Sequence, residues 1–141
     1  GLEMCIRDSV HRVGKRMAGV VIDNIEEDLQ EAWGSEVGLY YPGLYAGTTD
    51  LVGVWKNRPA IMDFKQTNKP KKREWVEDYF MQGSAYGMAH NALFGTEIET
   101  VAIFMCSRDC EFQLFELDAG EFKHYSEKWA VRVGEFYDLD K

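Results

Sequence analysis

The sequence predicts an α/β fold in which a central mixed β-sheet of about five strands is flanked by helices. Three observations carry that expectation. Apolar residues recur at spacings of three and four in an N-terminal, a central and a C-terminal stretch, the period of a half-buried helix. Between them lie runs rich in β-branched and aromatic residues, bounded by Gly, Pro and Asn. Their order is helix, three strands, helix, two strands, helix, which fits one sheet covered by helices.

The first helix is expected along Val10, Val13, Met17, Val20, Val21, Ile25 and Leu29, capped by Ser9 and ended by Gly34. A short strand should follow at Val37 to Tyr41, closed by a turn at Pro42 and Gly43. Tyr45 to Trp55 and Pro59 to Gln66 then read as a hairpin around Lys56-Asn57-Arg58. Its first strand opens with Ala46-Gly47-Thr48-Thr49, where the glycine permits a close backbone approach or a bulge. Glu74 to Phe94 reads as a long helix with Trp75, Tyr79, Gln82, Tyr86, Ala89 and Leu93 on its inner face. Ile98 to Cys106 is apolar enough for a strand buried on both faces. Ser107 to Cys110 turns the chain into a strand at Phe112 to Leu117, and Phe122, Tyr125, Trp129, Val133 and Phe136 line a closing helix.

The first nine residues, Gly1 to Ser9, fit no amphipathic period and read as an assembly scar or a disordered segment. Residues 10–141 read as one domain, expected to lack part of its natural N-terminus. No apolar run approaches the roughly 20 residues of a membrane-spanning helix. The three cysteines, Cys5, Cys106 and Cys110, match no zinc spacing and read as reduced thiols, as in an intracellular protein. A formal net charge of -8 opposes general phosphate binding. The basic residues nevertheless cluster, with Lys65, Lys69, Lys71, Lys72 and Arg73 in one short stretch that can meet phosphate locally or simply be a solvated loop.

The chemistry is carried by the charges that interrupt the strands. Asp63 and Lys65 lie two apart, so their side chains share one face of the strand. A carboxylate and an ammonium there are costly to bury unless they are paired or coordinate something. Asp50 interrupts the neighbouring strand. Two converging carboxylates beside a lysine suit a hard cation such as Mg²⁺ or Mn²⁺, with the Phe64 carbonyl as a further oxygen. On spacing alone, a structural ion pair between Asp63 and Lys65 is an equal alternative.

The wider string resembles one family. Gly47-Thr48-Thr49-Asp50, then Asp63-Phe64-Lys65-Gln66, then Gln82 and Tyr86 on the next helix, are similar to the PD-(D/E)XK nuclease superfamily, in its RecB-type branch. The stretch from Asp63 through Thr67, Asn68, Lys69, Pro70 and Lys71 resembles mitochondrial genome-maintenance and phage exonucleases. The resemblance runs from about Glu36 to the C-terminus. It implies a restriction-endonuclease-like core and a Mg²⁺- or Mn²⁺-dependent DNA exonuclease, acting on single-stranded ends in replication, repair or recombination. It also implies an intracellular setting: the cytoplasm of a bacterial or phage-infected cell, or the mitochondrial matrix.

Carried over by position, Asp50 and Asp63 resemble the metal-binding acids and Lys65 the catalytic lysine. Glu36 stands where such nucleases often have an upstream acid, although it also reads as an exposed charge at a strand start. Gln82 and Tyr86 would edge the site and help place DNA, while Lys69, Lys71, Lys72 and Arg73 would track its backbone. Aromatic faces such as Tyr86 and Trp75 could also stack bases of a single strand; for Trp75 alone, core packing is the expectation.

The sequence also departs from the family. No Gly-x-x-x-His helix precedes Asp50, and His11 reads as a surface residue. His90 and His124 lack partners at ligand spacing. Cys106 and Cys110 cannot supply the four ligands of an iron–sulfur cluster, so none is expected. The alternatives are a non-catalytic or truncated DNA-binding module and an exonuclease for duplex ends.

Overall fold

The computed structural model describes residues 14–138. The expectations for Cys5, Ser9, Val10, His11 and Val13 lie outside them. In chain order the elements are α1 (Lys15–Ile25), β1 (Leu29–Tyr41), β2 (Tyr45–Trp55), β3 (Arg58–Thr67), α2 (Glu77–Phe94), β4 (Thr100–Ser107), β5 (Phe112–Leu117) and α3 (Ala119–Asp138). The strands form one mixed sheet in the order β1-β2-β3-β4-β5. β1, β2 and β3 run antiparallel. α2 then carries the chain across to β4, which pairs parallel with β3, and β5 returns antiparallel.

Two apolar cores sandwich the sheet. On one face Met17, Val21, Ile22 and Ile25 of α1 pack on Leu51, Trp55, Met62, Phe64 and Phe104. On the other, Val76 and Phe80, with Phe122 and Tyr125 of α3, cover Ile61, Val101, Ile103 and Met105. Strand alternation explains the division, because Met62 and Phe64 face α1 whereas Ile61 faces α2. β4 is buried along its whole length, as its apolar run predicted. Cys106 is part of the first core, and burial pushes its thiol up, as for a packing residue.

The hairpin joining β2 to β3 is tighter than expected, since Trp55 pairs directly with Arg58. Lys56 and Asn57 take φ of 48° and 66°, the left-handed pair of a two-residue turn that matches strand twist. Asn57 suits that conformation, and its amide donates to Gln30 Oε1 at 2.6 Å.

Two boundaries differ from the expectation. α1 stops at Ile25, and Leu29 already belongs to β1, so Gly34 lies inside a strand and does not end a helix. The acidic run Glu26-Glu27-Asp28 opposes the helix dipole at that end, and Asp28 O instead accepts the Lys56 amide at 2.9 Å. Register shifts between Leu29 and Glu31 and between Ala32 and Gly34 hide the strand's period of two. The central helix begins at Glu77, after a separate 3-10 turn at Arg73–Trp75. Trp75 therefore leaves the helical stripe and is 61% exposed, which overturns its expected place in the core.

Candidate active site

The β2–β3 ladder runs from Trp55↔Arg58 to Leu51↔Met62 and then stops. Beyond it β3 continues beside β4 alone, as far as Thr67↔Ser107. A fork thus opens between β2 and β3 at the next two residues, Asp50 and Asp63. Their carboxylates replace the missing backbone partners. Asp50 Oδ2 accepts the Phe64 amide at 2.8 Å, and Asp63 Oδ1 accepts the Asp50 amide at 3.3 Å. Both acids are only 7% exposed.

Lys65 completes the centre. Its Nζ lies 2.8 Å from Asp63 Oδ2 and 4.8 Å from the centre of the Tyr79 ring. The carboxylate and the aromatic face hold the ammonium on the α2 side of the sheet while its tip remains partly open to solvent. The pairing expected from the two-residue spacing is present, and it sits at the C-terminal ends of the parallel strands β3 and β4, where open α/β sheets expose their loops.

Gln82 and Tyr86 come to the rim of this fork. Gln82 Nε2 lies 3.3 Å from the Tyr86 hydroxyl, and the phenol is packed against Gly47 at the start of β2. A Cβ at Gly47 would stand 2.6 Å from the phenol oxygen, so the glycine is what permits the contact. Burial, with the Asp63 carboxylate adding to it, raises the Tyr86 phenol above its usual range. Tyr86 is therefore a neutral hydrogen-bonding group at neutral pH.

Gln82 is exposed and does not face inward as its helical stripe suggested. α2 is enclosed on two sides, by the sheet and by α3, and its buried residues run from Phe80 and Met81 through Gly83, Ser84 and Ala85 to His90. Gly83 makes this approach possible, because a Cβ there would meet Val101 Cγ1 at 2.5 Å. The wide buried arc pushes Gln82 onto the remaining open strip, beside the fork.

Glu36 occupies the register position opposite Asp50, between Ser35↔Leu51 and Val37↔Thr49. It is exposed and takes a φ of 50°. Among the described residues no three acidic, histidine or cysteine side chains are gathered closely enough to hold a metal ion. The fork thus unites Asp50, Asp63 and Lys65 without Glu36. The Phe64 amide faces Asp50, and its carbonyl points to the same edge, since both groups of one strand residue do so.

The basic loop divides in two. Lys69 and Lys72 are exposed and Lys71 half-buried. Arg73 turns away: its Nη2 donates to Glu121 Oε2 at 2.6 Å and to Glu116 O at 2.8 Å, and its guanidinium covers Phe80. Arg73 is thus a staple between the loop, β5 and α3, not the free phosphate contact expected from the sequence. Gln113 clamps the same loop, accepting from the Lys71 amide and donating to the Lys71 carbonyl, both at 2.8 Å. Nothing local in the sequence marks Gln113, which acts from a strand 42 positions away. Tyr79 was visible as a stripe residue, but its contact with Lys65 requires the packed helix.

Among the described residues, neither His90 nor His124 joins the acids of the fork in a metal-binding group. His90 is buried, hydrogen-bonded to Thr96 Oγ1 at 2.7 Å, stacked on Trp33 and in tilted contact with Phe94, and His124 is exposed. No helix among the described residues is long and apolar enough to cross a membrane.

No protein-family model matches the chain, and no curated protein matches it. A likeness appears at the level of structure. The crystal structure of a "Putative exonuclease" from Eubacterium rectale superposes with a TM-score of 0.55 at 16% identity, over 84% of this chain and 49% of that one. The chain therefore spans about half the length of that protein. At this identity the likeness concerns the fold: a five-stranded mixed sheet flanked by helices, shared with that protein.

Proposed function

We propose that the chain is the core of a metal-dependent DNA exonuclease of the PD-(D/E)XK superfamily, RecB-type branch. Its substrate in this reading is a single-stranded DNA end, and its role lies in replication, repair or recombination. One observation carries the reading: two buried carboxylates and a lysine meet where β2 and β3 part. Burying two acids and a lysine carries a desolvation cost that apolar residues at the end of a ladder would not, whereas a phosphodiester hydrolase needs such a group of oxygens beside a cation. The shared fold with the Eubacterium rectale protein supports it at the coarse level of a nuclease-like core.

The oxygen set suits Mg²⁺ or Mn²⁺. Asp50, Asp63 and the Phe64 carbonyl are hard donors, and Mg²⁺ commonly takes one or two carboxylates while keeping several waters. Glu36 would join only through a change of its exposed conformation. Bound there, the cation would supply Lewis-acid polarisation of the phosphate and a more acidic water. Lys65 would then place its ammonium against the attacking water or the charge developing on the phosphate, held in position by Asp63 and Tyr79. Gln82 and the neutral Tyr86 would hydrogen-bond the strand at the rim, and Lys69, Lys71 and Lys72 would attract its backbone.

The test is cleavage of end-labelled single strands, duplexes and closed circles with Mg²⁺ or Mn²⁺. Stepwise release from single-stranded ends is expected. Asp63→Asn and Lys65→Met should each lower the rate at least about a hundredfold, the scale for losing one transition-state contact, with the circular dichroism spectrum unchanged. Cleavage of closed circles would remove the exonuclease label. Full activity in both folded variants would refute the centre.

A further inference from the structure

An open groove of about 890 Å³ follows directly on the catalytic strand, lined by Gln66 to Lys71 and by Trp75. It contains two kinds of group that a single nucleic-acid strand uses: lysine ammoniums and one large exposed aromatic face. We propose that Trp75 is a stacking platform for an unpaired DNA base, with Lys69 and Lys71 binding the adjoining phosphates. The strand would thus be held in this groove beside the fork. The inference rests on the nuclease reading for the strand's connection to Asp63 and Lys65 and for the lysines along its backbone, and it adds a base-stacking position at Trp75.

Trp75 is 61% exposed although it is among the largest apolar side chains of the protein. The Lys72 ammonium stands 5.4 Å from the ring centre, making that face a cation–π contact, while the indole also lines the groove.

The loop bearing these groups is held at several points. Gln113 clamps Lys71, Thr67 Oγ1 donates to Lys69 O at 2.8 Å, and Arg73 is stapled to Glu116 and Glu121. A platform held before the ligand arrives loses less entropy on binding. Stacking also selects single strands, because a duplex keeps its base faces inside.

The position is consistent with a path to the fork. Gln66 is the residue after Lys65, and Tyr79, which carries the Lys65 ammonium, lies four residues beyond Trp75 in the first turn of α2. Arg73, the arginine of the loop, does not line the groove, and its guanidinium is bound elsewhere.

Fluorescein-labelled oligo(dT) and a dT·dA duplex of equal length, titrated in EDTA so that neither is cut, test this directly. Trp75→Ala should weaken oligo(dT) binding by between about five- and 150-fold, the range for one stacked base, and duplex binding by less than about twofold. Trp75→Phe should retain most of the affinity. Lys69→Ala with Lys71→Ala should flatten the salt dependence by about 0.7 per lysine. Unchanged oligo(dT) affinity in Trp75→Ala, an equal loss on both substrates, or no oligo(dT) binding by the unsubstituted chain would each overturn the proposal. If the Trp75 effect appears while no preparation cleaves DNA with Mg²⁺ or Mn²⁺, the groove stands and the nuclease reading fails.

Discussion

Gly47→Ala tests how the fold shapes the fork. The new Cβ would lie 2.6 Å from the Tyr86 phenol oxygen, 2.7 Å from its Cε1 and 3.0 Å from its Cζ. An ordinary carbon contact is about 3.5 Å or more, so the ring must retreat by roughly 1 Å. It cannot do so freely, being half-buried and bonded to Gln82. Overpacking of this kind costs about 1–3 kcal/mol. In a chain of this size each kcal/mol lowers Tm by about 3–5 °C. The assay is a double-mutant cycle with Tyr86→Ala, read by thermal and urea denaturation. Gly47→Ala should be destabilising alone and nearly neutral once the ring is gone, giving a coupling of about 1 kcal/mol or more. If the alanine costs the same in both backgrounds, the Gly47–Tyr86 contact does not shape this site.

Two further outcomes concern parts of the molecule away from the fork. Burial lowers the His90 pKa below its ordinary value near 6.5, so the unfolded chain takes up this proton first as pH falls. The neutral imidazole's contribution to stability is therefore intact above about pH 6.5 and declines below it, and His90→Gln should flatten that part of a Tm-against-pH curve. Arg73→Ala should lower stability by about 1 kcal/mol through its surface ion pair and carbonyl bond, while leaving the salt slope of oligo(dT) binding unchanged. A reduced slope in that variant would return Arg73 to the DNA contacts.

The fold class was legible because most elements wrote their period into the chain; α2, enclosed on two sides, did not. β4 is apolar throughout since both its faces are covered, and Asn57 marks the hairpin since its backbone is left-handed there. Asp50, Asp63 and Lys65 could be found because a buried strand otherwise excludes charge, and any charge on it needs a partner. The start of β1 was not legible, because two bulges break the alternation and Leu29 continues the spacing of α1 into the strand.

Local chemistry thus marked the acids on two adjacent strands and the lysine two residues on, as an ion pair or a cation site alike, whereas Tyr86 was singled out only by the family resemblance. Only the tertiary structure decided their relations. The ladder ends at Leu51↔Met62, so the acids exchange amide bonds across a fork instead of pairing as strand residues. α2 is enclosed on two sides, so Gln82 turns outward. Trp75 falls in a turn ahead of the helix and is left in solvent, while Glu116 and Glu121 draw Arg73 away from the groove it seemed to serve. The partners of the acids lie 13 and 14 residues away and those of Arg73 lie 43 and 48 away. Periodicity reports which face of an element is apolar, but not what is packed against it.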